Sequence, residues 1–103
     1  MTNRDYALEE FFRSEMIDGT EVLIGLDKGD IPNGTQVVKV NSEPGDTHQD
    51  GTLGTVVGAW EVTKMAKAKL KRLGKRPAKW VYWVKFVALP EVPMAIADYR
   101  IKR

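Results

Sequence analysis

"WVYWVKFVAL", residues 80–89, is the stretch on which the fold turns. It alternates without a break. Trp80, Tyr82, Val84 and Phe86 share one face, and Val81, Trp83, Lys85 and Val87 share the other. Successive side chains of a strand point to opposite faces, and aromatic and β-branched residues suit a pleated, half-buried surface. A period of two sustained over this many residues argues for a strand and against an amphipathic helix. Such a strand needs neighbours, and the chain supplies them on both sides.

Upstream lie three further β segments: "TEVLIGLD" (20–27), "TQVVKVNS" (35–42) and "TLGTVVGAWEV" (52–62). The turn residues of "PNG" (32–34) and the loop "EPGDTHQDG" (43–51) separate them. Gly54 and Gly58 interrupt the third segment, as a bulge or sharp bend would require. Downstream, "LPEVP" (89–93) turns the chain. "MAIADYRIKR" (94–103) then reads as a short strand, a tight turn at Asp98-Tyr99-Arg100, and a last β residue at Ile101. About five short, bent strands are too few for a sandwich but suffice for a small closed or half-open barrel, which also removes exposed sheet edges. Its expected core is Tyr82, Val84 and Phe86 with Val38, Val40 and Val56; Lys39 alternates to the outside.

The N-terminal segment follows another period. Leu8, Phe11, Phe12, Glu15 and Met16 fall at helical spacing, with Thr2 or Asn3 available as N-cap and Gly19 as a stop. The expectation is a single domain over 1–103: a helix in 1–18 docked on a mainly β barrel in 19–103, with an insertion at 63–79.

"NGTQVVKVNS…DGTLGTVVGAW" resembles the KOW motif of ribosomal proteins and transcription-elongation factors, over about residues 34–59. Gly34, Val38 and Val40 match its Gly-led first strand, and Gly51, Gly54, Val56 and Val57 match its second. The loop "SEPGDTHQD" is longer than is usual for that motif. The resemblance implies an SH3-like β-barrel, a fold whose members contact RNA, DNA, peptides or other subunits. The C-terminal "YWVKFVALPEVPMAIADYRIKR" is similar to the end of such a barrel, where a strand, a one-turn helix and a last short strand close it.

The insertion "KMAKAKLKRLGKRPAKW" (64–80) holds eight Lys or Arg and no carboxylate. Thr63 suits an N-cap and Gly74 a C′ position, while Val62, Met65, Ala66, Leu70 and Leu73 form an apolar stripe with Lys69 inside it. Lys64 and Lys67 oppose the helix dipole in the first turn. The spacing predicts a short, weakly held helix or a mobile hairpin tip that protrudes from the barrel.

Charge is unevenly distributed: residues 1–50 carry 4 Lys/Arg against 11 Asp/Glu, and residues 51–103 carry 12 against 3. The split fits a polyanion-binding half, or two halves that face each other. There is no cysteine, which excludes disulfides and thiolate metal sites, and a single histidine. His48 with Asp46 and Asp50 falls short of the four firm ligands of a structural zinc site, and Asp and Gly there build turns. No nucleophile–base set and no phosphate loop can be placed, since "GTLGTVVG" lacks the GK[ST] ending. No apolar run approaches the ~20 residues of a membrane-spanning helix, and the start of the chain lacks the pattern of a leader. A cytoplasmic, non-enzymatic binding module without cofactor or metal is expected.

Its expected partner is nucleic acid, RNA or a ribonucleoprotein. Lys64, Lys67, Lys69, Lys71, Arg72, Lys75, Arg76 and Lys79 would meet phosphates, and Trp83 with Lys85 on the outer strand face could stack on a base, unless Trp83 instead lies under the first helix. Two readings compete. The acids Asp5, Glu9, Glu10, Glu15 and Asp18 could neutralise the insertion within the chain, or a protein partner could use the loops around Pro32, Pro44 and Pro90.

Overall fold

The computed structural model describes residues 12–17, 19–25 and 29–103. It is mainly β. Two strands, β1 (Phe12–Ile17) and β2 (Thr20–Gly25), form a hairpin. Five more are β3 (Gln36–Lys39), β4 (Leu53–Glu61), β5 (Trp80–Phe86), β6 (Met94–Ala97) and β7 (Ile101–Lys102). They build one antiparallel sheet in the order β6-β5-β4-β3-β7. A helix, α1 (Lys64–Arg72), is inserted between β4 and β5. The turn expected at Asp98-Tyr99-Arg100 is a single 3-10 turn joining β6 to β7.

The inner face of β5 was legible. Tyr82, Val84 and Phe86 are buried together with Val37, Val56, Ala59 and Ile101, and Ile31, Trp80, Met94 and Ile96 pack against them. The Tyr82 hydroxyl accepts a hydrogen bond from the Ile31 N–H at 3.1 Å, which satisfies its polar end inside the core. Burial pushes that hydroxyl's pKa up. The closed form of the expected barrel is not observed. Two-residue β7 pairs only with Val38 and Lys39 of β3, so no ladder joins β7 to β6 and the sheet is open among the described residues.

The facing of β3 is the reverse of the expectation. Val37 and Lys39, each 2% exposed, point inward, whereas Val38 and Val40 are only half-buried. "VVKV" alternates equally well in either phase, and the two-valine face looked the more apolar. What decides is the loop after β3. It folds over the strand end and offers Lys39 Nζ the Val40 carbonyl at 3.1 Å, Ser42 Oγ at 2.8 Å and Asp46 Oδ2 at 3.5 Å. A buried ammonium is tolerable only when so partnered.

The segment expected to end the N-terminal helix is a strand. Arg13, Glu15 and Ile17 are half-buried while Ser14 and Met16 are exposed, a period of two, and β1 pairs with β2 from Phe12↔Gly25 to Ile17↔Thr20. Two residues, Asp18-Gly19, separate the strands in sequence, with Gly19 at φ +78°. Asp-Gly is a strong hairpin-turn signal, and here it outweighs the helical spacing of the phenylalanines. The rest of that expected helix, residues 1–11, lies outside the described residues.

The hairpin docks where β4 is irregular. Register shifts between Val56 and Gly58, so Val57 bulges out of the ladder to β5. The Arg13 guanidinium donates to the Val57 carbonyl at 2.8 Å, and Lys85 on β5 pairs with Glu15 at 3.0 Å. Gly58 lets the backbone of β2 approach β4 at Gly25. Ile24, fully buried, packs at this crossing, its Cγ2 against Gly58. The hairpin therefore covers the face of β4 and β5 opposite the core.

Candidate functional site

Helix α1 is held at its ends. The Thr63 hydroxyl accepts from the Ala66 N–H at 3.1 Å, and Gly74 at φ +72° takes the left-handed position that follows a helix. Behind the helix, the Val62 N–H donates to the Lys79 carbonyl at 2.9 Å and closes the insertion. Only part of the apolar stripe docks. Val62 is buried just before the helix, yet Met65 is 85% and Leu73 61% exposed, and no residue of α1 itself is buried. The first turn carries no acid to match the dipole.

The expected cations divide into two groups. Among the described residues, no ion pair involves Lys64, Lys67, Lys69, Lys71, Arg72, Lys75 or Arg76. All but half-buried Lys67 are exposed. Lys64, Lys67 and Lys71 line one shallow groove with Ala68 and Pro77. Lys79 makes a loose, exposed contact with Asp30 at 3.8 Å. Lys85 belongs elsewhere, paired with Glu15 under the hairpin, and half-buried Trp83 lies beside it against Gly25. The docked hairpin thus lies against both Trp83 and Lys85.

An aromatic residue that in sequence is only part of a turn stands at the other end of the insertion. Tyr99, in the 3-10 turn, is covered by the Arg76 guanidinium at 4.1 Å from the ring centre, with that of Arg100 at 5.7 Å. Asn41, Glu43, Gly74, Lys75, Arg76, Tyr99 and Arg100 line a cleft here of about 560 Å³. The turn is fixed from both sides. Asn41 Nδ2 donates to the Tyr99 carbonyl at 2.7 Å and the Val40 N–H to the Arg100 carbonyl at 2.9 Å. From the β5 side, Asp98 Oδ2 accepts the N–H groups of Lys79 and Trp80 at 3.1 and 3.2 Å. Asn41 adopts φ +53°, a left-handed conformation that asparagine tolerates better than most residues.

Arg100 is engaged elsewhere, with Glu43 at 2.9 Å and Asp46 at 3.0 Å. The Glu43 N–H, and then Lys39 and Arg100, hold the Asp46 carboxyl below its ordinary range. Hydrogen bonds from the Ser42 hydroxyl and N–H do the same for Asp50. Glu43 and Arg100 therefore compensate each other within the cleft wall, and Lys75 and Arg76 make no ion pair with a described residue.

A second cleft, of about 380 Å³, lies between the loop at 45–48 and β6, with Lys39, Asp46, His48 and Arg100 on its polar wall. His48 is buried against the Phe86 ring at 4.4 Å, and its Nε2 has no hydrogen-bond partner among the described residues. Asp50, two residues on from His48, binds the Ser42 N–H, and no cluster suited to a metal ion occurs among the described residues.

No protein-family model matches this chain, and neither a curated protein nor a solved structure matches it significantly. Among the described residues, no helix is long and apolar enough to cross a membrane.

Proposed function

We propose that this chain is a non-enzymatic module that binds nucleic acid, RNA or a ribonucleoprotein, through the basic insertion carried on an SH3-like scaffold of the KOW type. One observation carries the reading. A helix with no buried residue presents Lys64, Lys67, Lys69, Lys71 and Arg72, none in an ion pair with a described residue. A helix kept for stability would bury a face and place acids in its first turn. The competing reading, neutralisation within the chain, has weak support from Glu15, which is engaged by Lys85. Exposed pairs would in any case be worth only about 0–1 kcal/mol each, whereas every phosphate contact releases condensed counterions. The scaffold is supported by the β3–β4 hairpin that carries Gly34, Gly51 and Gly54, and by the one-turn helix before the last short strand.

The test is a salt series of binding to mixed polynucleotide. Replacing Lys64, Lys67, Lys71 and Arg72 with Gln should weaken binding evenly across sequences. The slope of log K against log salt should fall by roughly 0.7–0.9 for each phosphate that is no longer neutralised. Parent protein that binds no polynucleotide at about 50 mM salt, where such contacts are strong, would overturn the reading.

A further inference from the structure

Resting on the nucleic-acid reading, we infer that the cleft at Tyr99 is a subsite for one unpaired nucleotide, its base stacking at the Arg76–Tyr99 pair and its phosphate meeting Lys75. The sequence offered Trp83 as the aromatic partner of the basic surface, but the structure seats Trp83 against Gly25 beneath the hairpin. Tyr99 shares a cleft with the insertion. Its ring already holds the flat Arg76 guanidinium at 4.1 Å, and a guanidinium laid on an aromatic ring presents a second π-face to a base.

Three features favour a nucleotide over an acidic peptide. The cleft, about 560 Å³, is large enough for a base with its sugar and phosphate. Its wall carries Glu43, 69% exposed and charge-compensated by Arg100, whose carboxylate still accepts hydrogen bonds that an acidic side chain, having no donor, cannot offer. A base has donors that can face that carboxylate while its phosphate lies toward Lys75. The platform is also rigid. Asn41, Val40 and Asp98 bind the turn or its flanks, so the ring does not have to be ordered on binding. The shallow groove of Lys64, Lys67 and Lys71 lies on the same insertion, so a strand's backbone could follow the helix while one base enters the cleft.

The experiment measures fluorescence anisotropy of labelled single-stranded and duplex oligonucleotides, with poly-glutamate as competitor. Tyr99→Leu is expected to weaken single-strand binding about 5- to 100-fold, the range for removal of one stacked base, with the salt slope and duplex binding unchanged. Tyr99→Phe should retain parent affinity. Arg76→Lys keeps the charge and removes the planar face, so it should weaken single-strand binding in the same way; it carries the test if Tyr99→Leu fails to fold. Parent-like single-strand affinity in both Tyr99→Leu and Arg76→Lys would overturn the inference and leave the nucleic-acid reading standing. So would equal weakening for single strand and duplex. Binding of poly-glutamate as tight as that of the single strand would identify an acidic protein surface as the occupant and overturn it. No polynucleotide binding by the parent would overturn both.

Discussion

The Gly25 carbonyl oxygen lies too close to residue 58 to admit a Cβ there, and a Cβ on Gly25 would lie 2.5 Å from the Ala59 carbonyl oxygen. The hairpin and the sheet meet here backbone to backbone, one residue beyond the bulge at Val57. Neither side is a flexible side chain that could swing away. Gly58→Ala should therefore lift the hairpin and cost about 1–3 kcal/mol in a urea titration, the usual range for overpacking. A shift in tryptophan emission should accompany it, since Trp83 lies against Gly25. Parent-like stability and emission would contradict this docking.

The phase of β3 gives a second test. Val37 is 2% exposed and Val38 only half-buried. Removing two buried methyl groups costs about 2 kcal/mol, so Val37→Ala should destabilise by roughly that much and Val38→Ala by clearly less. Phe86→Ala, at the centre of the core, should cost about 3–5 kcal/mol. Equal effects at Val37 and Val38 would mean that the strand does not face as described.

Proteolysis tests the exposure of the insertion. Limited trypsin digestion should cut first within 64–79, where exposed cations lie on a helix with no buried residue. Lys39 is 2% exposed and should resist. Early cleavage after Lys39 would contradict its burial.

Acid should loosen the loop over Lys39. Asp46 and Asp50 both have folded pKa values below the ordinary 3.8, so their contribution is fully present above the unfolded value. It is lost as pH falls through the folded values. Amide exchange at Ser42 and Glu43, whose N–H groups bind Asp50 and Asp46, should quicken below about pH 3.8 after correction for intrinsic rates. Asp46→Asn should flatten this response at Glu43. A pH-independent protection factor would show that the carboxylates do not hold the loop.

The sequence by itself determined the strands from β2 onward, because alternation in "WVYWVKFVAL" and glycine punctuation in "TLGTVVGAWEV" are local signals of backbone geometry. It also determined the turn at Asp98-Tyr99-Arg100 and the caps at Thr63 and Gly74, but left the insertion between a short helix and a hairpin tip. Tertiary structure alone decided three matters. "VVKV" alternates in both phases, and only the loop that brings Ser42 and Asp46 to Lys39 selects the inward one. Phe12 and Met16 fit a helix by spacing, yet β1 gains its hydrogen bonds from β2 and its docking from Val57, Gly58 and Lys85. Tyr99 reads as a turn residue until the end of the insertion places Arg76 over its ring, 23 residues away in sequence. In each case the partner that decides lies outside the residue's own strand or turn. A periodicity reports only which neighbours a residue has along its own strand or helix.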